Sequence, residues 1–166
     1  MIELRLASVQ GRWGKRGTPH RRGLSIVETA IALPLFALLL FGIVDVGRVL
    51  FAHMTLQHAV REGGRFAVTG RVIPGTSGAH PRVDSIIQVV LMDSLPIPLT
   101  PADVLISSAS GGSGSAGGPG DVVRIAVTYP IDLLTPLIGV FFPDGRFVVD
   151  VATTFRNEPF PPNQAD

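Results

Sequence analysis

From Leu24 to Val46 the chain reads LSIVETAIALPLFALLLFGIVDV, 23 residues with no charge between Glu28 and Asp45. Coiled as a helix, such a run is about 35 Å long, enough to cross a hydrocarbon core of about 30 Å. It holds fourteen Leu, Ile, Val and Phe residues. Each favours insertion by about 0.3–0.6 kcal/mol, which together outweigh two acids placed near the ends. Pro34 removes one backbone donor, a loss that membrane helices accommodate with a kink. A buried core helix this apolar would need more surrounding core than the Gly- and Pro-rich remainder offers. A cleaved secretory signal would need a shorter apolar core and a small-residue cleavage site, whereas the sequence runs on as DVGRVLFAHM. The run predicts a transmembrane helix over 24–46.

Charge orients it. Residues 1–23 form a basic leader with Arg5, Arg12, Lys15, Arg16, Arg21 and Arg22 against Glu3, while the remainder carries eight Arg and twelve acids. The positive excess predicts a cytoplasmic N-terminus and an extracytoplasmic C-terminal part. The net charge of +1 hides this asymmetry and excludes a strongly basic nucleic-acid binder. With no cysteine, disulfide scaffolds, thiolate metal sites and a Cys nucleophile are excluded as well.

Glu28 needs an account, because an acid within an apolar span costs a few kcal/mol unless neutralised or paired. An acid near the interface that reaches water is one account. Another follows from Arg21-Arg22-Gly23 just before Leu24-Ser25-Ile26-Val27-Glu28. If the chain were cut after Gly23, the new amine of Leu24 would lie one helical turn from Glu28. The carboxylate could then neutralise that amine or the amine of a neighbouring subunit. A basic leader, a Gly and a Glu at the fifth mature position form the pattern of type IV pilin-like precursors.

The stretch RRGLSIVETAIALPLFALLLFGIVDVGRVLFAHMTLQHAVREGGRFAV resembles the TadE-like family of tight-adherence pilus assembly proteins. The matching features are the RRG entry, Val27-Glu28, the LP-plus-leucine run at 33–40, G-I-V-D at 42–45, Gly47-Arg48 and LQHAVREGGRFA at 56–67. TYPIDLLTPLIG at 128–139 adds a shorter likeness. Thr29 departs from the pattern, since processed members often have an aromatic residue there. The resemblance implies a bitopic minor pseudopilin, cleaved by a prepilin peptidase between Gly23 and Leu24 and acting in assembly of a Tad (Flp) pilus. Glu28 would be its assembly residue.

Beyond the span the helix is expected to continue over 47–70. Val49, Ala52, Leu56, Ala59, Gly63 and Phe66 recur at steps of three and four, a heptad-like seam. Ala59, Gly63 and Ala67 add a row of small residues that admits close helix packing. Docking onto the chain's own C-terminal sheet is the first use of this stripe, and subunit contact the second. His53 and His58, five apart, face different directions and make a poor metal pair.

Residues 71–157 predict a small α+β domain. Pro81 opens a short amphipathic helix with Val83, Ile86, Ile87, Val90 and Leu91 on one face. Three strands follow, 103–109, 121–129 and 146–157, as a half-buried antiparallel sheet. Gly111–Gly120 lies between strands and lacks Lys, so it reads as a flexible connection rather than a phosphate-binding loop. Residues 158–166 read as a disordered tail.

The expectation is therefore an α+β protein, with a long N-terminal transmembrane helix continuing into a small pilin-like domain. No catalytic, cofactor or metal residues stand out, so no enzymatic activity is expected. The partners implied are the lipid bilayer, the prepilin peptidase, other pilin-like subunits and Tad assembly-platform proteins, with no nucleic acid. The location implied is the bacterial inner membrane, as a single-pass protein, or the pilus it helps to build. The rival reading is an uncleaved, TadG-like envelope scaffold that binds another secretion or pilus component. A membrane-tethered hydrolase ranks last for want of a site.

Overall fold

The computed structural model describes residues 21–161. The leader up to residue 20 and tail residues 162–166 lie outside the described residues. The chain divides after Ala37 into two compact units.

The helix α1 spans Arg21–Val68, with Pro34 inside it. In the first unit its side chains from Ser25 to Phe36 are all exposed. An exposed surface that is apolar on every side is one that a membrane or a partner can cover. By length and hydropathy the helix is able to cross a membrane.

The second unit comprises the rest of α1, the helix α2 (Pro81–Asp93), and four strands, β1 (Val104–Ser108), β2 (Gly112–Ser113), β3 (Val122–Asp132) and β4 (Arg146–Arg156). A short helix, α3 (Pro136–Gly139), lies between β3 and β4. The sheet order is β2-β1-β3-β4, with every pairing antiparallel. On β3, Val123, Ile125, Val127 and Ile131 are buried while Val122, Arg124 and Thr128 are exposed, so one face of the sheet meets the core. Against that face pack Leu56, Ala59 and Val60 of α1 with Ile86 and Val90 of α2.

Small residues on α1 set its distance from the head. A Cβ on Gly63 would run into Val90, and one on Gly64 would enter the ring of Phe155 on β4. Backbone and side chains thus meet where any larger residue would hold them apart.

Two expectations are corrected here. The sheet has four strands, not three, because two residues inside the Gly/Ser-rich segment pair with β1 as Ser107↔Ser113 and Ser108↔Gly112. Gly112 and Gly114 have φ of 71° and 80°, which lets the chain double back at once. A two-residue strand has no alternation for a sequence reading to detect. Nor is the segment a flexible connection. Ala116 is fully buried, and the Asn157 side-chain amide donates to the carbonyls of Ala116 at 3.0 Å and Gly118 at 2.9 Å. At its other end the Asp121 carboxylate accepts from the Ser110 hydroxyl and from the Val122 amide at 2.8 Å.

Glu158 and Phe160, expected to open a disordered tail, are instead docked on the head. The Glu158 amide donates to the Val68 carbonyl at 3.1 Å, and Phe160 is buried with its ring centroid 4.6 Å from the Arg82 guanidinium carbon. A single apolar residue flanked by Pro159 and Pro161 gave no periodic signal for this docking.

Candidate functional site

Glu28 lies on an exposed stretch of α1, beside a shallow groove lined by Thr29, Ala32, Leu33 and Phe36. It has no hydrogen-bond or ion-pair partner among the described residues. Thr29 turns its hydroxyl inward to the Ser25 carbonyl at 2.9 Å, so it satisfies itself within the helix. Gly23 and Leu24 both lie within the helical backbone of α1, which begins two residues earlier at Arg21.

Ala59, Gly63 and Ala67 are all buried in the head. Gly63 faces Val90 and Ile125, and the Ala67 carbonyl accepts from Arg82 at 3.0 Å. The small-residue row therefore packs within the chain, and the same surface is not open to a second subunit. His53 bonds to the Gln57 side chain at 2.9 Å and His58 is exposed. Among the described residues no group of three or more His, Cys, Asp or Glu converges as a metal site would require.

The residue that sequence reasoning missed is Asp45. It ends the apolar run yet is only 3% exposed. Its two carboxylate oxygens accept separately from the amides of Leu134 at 2.8 Å and Thr135 at 2.9 Å. Those amides lead into α3, whose first N–H groups have no helical acceptor of their own. Arg48, one turn along α1, lies 3.6 Å from the Asp45 carboxylate and donates to the Asp132 carbonyl at 3.0 Å. Asp132 in turn pairs with Arg146 at 2.7 Å. On the same face Ile138 would lie 3.5 Å from a Cβ on Gly42. The arrangement is a latch that fixes the β3–β4 loop on the helix just where the uncharged run stops. The signal was present but divided, since G-I-V-D at 42–45 and LLTPLIG at 133–139 lie far apart in the chain.

Arg82 was also missed. At 1% exposed it donates to the carbonyls of Ala67 and Gly117 and stacks under Phe160. It thus joins the end of α1, the Gly/Ser loop and the tail. An arginine on the carbonyls that close a helix also complements the negative end of its dipole.

The described residues thus define a class: a helix long and apolar enough to span a membrane, whose later part is latched through Asp45 to a small α+β head. Residues 23–65 match the family model described as TadE-like protein, which bears out the resemblance read from the residues. The match begins at Gly23 and takes in Glu28, Asp45 and the first two of the three small residues. No curated protein and no solved structure matches the chain.

Proposed function

We propose that the chain is a membrane-anchored minor pseudopilin that acts in assembly of a Tad pilus after cleavage between Gly23 and Leu24. The observation that carries this reading is the TadE-like match starting at Gly23, the residue before the proposed cut. It is supported by Glu28, an exposed acid at the fifth mature position with no partner among the described residues. In lipid that carboxylate needs a cation, and the new amine of Leu24 or of an adjacent subunit supplies one. The head then faces away from the cytoplasm and offers its surface to other pilin-like subunits or platform proteins. None of these steps requires catalysis by the chain itself.

A second reading, an uncleaved single-pass scaffold, is favoured by the helical backbone at Gly23, since a peptidase must unwind that turn before cutting it. Mass spectrometry of the N-terminus decides between them. The measurement uses C-terminally tagged protein from membranes of the native host. A start at Leu24, abolished by Gly23→Ala or by deletion of the prepilin peptidase, is the expected result. An intact leader in wild-type cells leaves the scaffold and reduces Glu28 to an interfacial acid. If cleavage is found, Glu28→Gln should permit processing but abolish incorporation into pili.

A further inference from the structure

We propose that the β3–β4 loop, residues 133–145, enters the outer face of the lipid bilayer beside α1 as a second and shallower membrane contact. The inference rests on reading the apolar run of α1 as a membrane span. Residues 133–143 carry no charge. Val140 and Phe141 are 79% and 83% exposed, more than any other large apolar side chain among the described residues. Facing water, two such neighbours at the tip of one loop are unfavourable, and facing acyl chains they are not.

Depth follows from the latch. Ile138 packs on Gly42, which lies four residues before the end of the apolar run at Val46, or about 6 Å along a helix axis. Elements that lie in a membrane interface bury their apolar side by about 5–10 Å, so the loop reaches that layer. The groups at its neck are of the opposite kind. Asp132 and Arg146 pair where β3 ends and β4 begins, Arg48 joins them, and all three belong at headgroup level. The exposed Asp144 sits at the return of the loop, next to this charged neck.

The backbone is suited to lipid as well, where an unpaired N–H costs several kcal/mol. The amides of Leu134 and Thr135 donate to Asp45, and those of Ile138 and Gly139 to the Thr135 carbonyl. The Phe141 amide donates to Ile138 and the Phe142 amide to Gly139, both at 3.0 Å. Continuity with the apolar face of α1 selects lipid as the occupant rather than a protein partner.

The test uses the full chain in bilayers, with Trp13 replaced by Phe and one tryptophan placed in turn at Phe141, Val140, Leu39 or Val148. Lipids brominated near the headgroup or near the chain end serve as quenchers. The expected result is blue-shifted emission from Phe141→Trp and Val140→Trp that is lost with headgroup-proximal bromine. Leu39→Trp should be quenched from within the bilayer and Val148→Trp not at all. If Leu39→Trp is quenched while both loop tryptophans emit as in water, the span stands and the loop proposal is overturned. Blue-shifted loop emission that bromine leaves intact also overturns it, in favour of a covering protein. If Leu39→Trp escapes quenching, the membrane reading fails and the loop proposal falls with it.

Discussion

The stretch of α1 from Ile26 to Val44 and the stretch from Ala52 to Ala67 are both apolar and both helical, yet they bury in opposite ways. In the first the apolar residues are mostly large, lie on every side and are almost all exposed. In the second they are mostly small, follow one stripe and reach zero exposure at Leu56, Ala59 and Val60. Hydrophobicity alone does not separate a lipid-facing helix from a core helix. Size and angular spread do, because lipid tails adapt to any large side chain whereas a sheet demands close approach along one line.

The contrast can be broken most strongly at Leu56. Leu56→Ala should cost the head about 2–5 kcal/mol by opening a cavity that its neighbours fill only in part. Leu39→Ala, the same change where the side chain is exposed, should leave the head's unfolding midpoint in detergent unmoved. Equal losses from both would show that the two stretches share one environment.

Gly64→Ala comes next. The added methyl meets the ring of Phe155, and displacing that ring from a packed sheet should cost about 1–3 kcal/mol. Gly47, where an added Cβ has no neighbour within 4 Å, is the control and should tolerate alanine without loss in the same thermal scan.

Asp45 sharpens the boundary between the stretches. Asp45→Ala removes the acceptor of two loop amides and should cost about 1–3 kcal/mol, confined to residues 133–145. Hydrogen exchange should therefore speed up at Leu134 and Thr135 and stay slow in β3 and β4. Uniform acceleration across the sheet would mean that the latch holds the whole head rather than one loop.

The smallest effect is one of pH and belongs to the head alone. The Ser110 hydroxyl holds the Asp121 carboxyl below the ordinary aspartate range, against desolvation acting the other way, with help from the Val122 and Ser110 amides and the Ser108 hydroxyl. A lowered folded value means that this contribution is fully present above the unfolded value of about 4 and is lost as pH falls through the folded one. Asp121→Asn should flatten the acid limb of the head's stability curve slightly. An unchanged limb would assign it to other carboxylates.

Much of this was legible in local pattern. The 24–46 run, the seam through Ala52, Leu56, Ala59 and Gly63, the face of α2 and the alternation of β3 all repeat within a turn or two. A repeat of that kind is a physical property of the segment itself. The start of the TadE-like match at Gly23 belongs to the same category, for it rests on residues adjacent in the chain.

Tertiary structure decided what pairs single residues across long separations. Asp45 reads as a charge that ends a span until Leu134 and Thr135, some ninety residues on, present their amides to it. Arg82 lies outside the apolar periodicity of α2 and shows a role only where the carbonyls of Ala67 and Gly117 and the ring of Phe160 converge on it. Strand β2 and the docking of Phe160 are likewise set by partners rather than by pattern. Apolar periodicity is written into each element because each must bury a face. A lone polar group shows its role only where the fold brings its partner, since the free energy of its hydrogen bonds belongs to the pair.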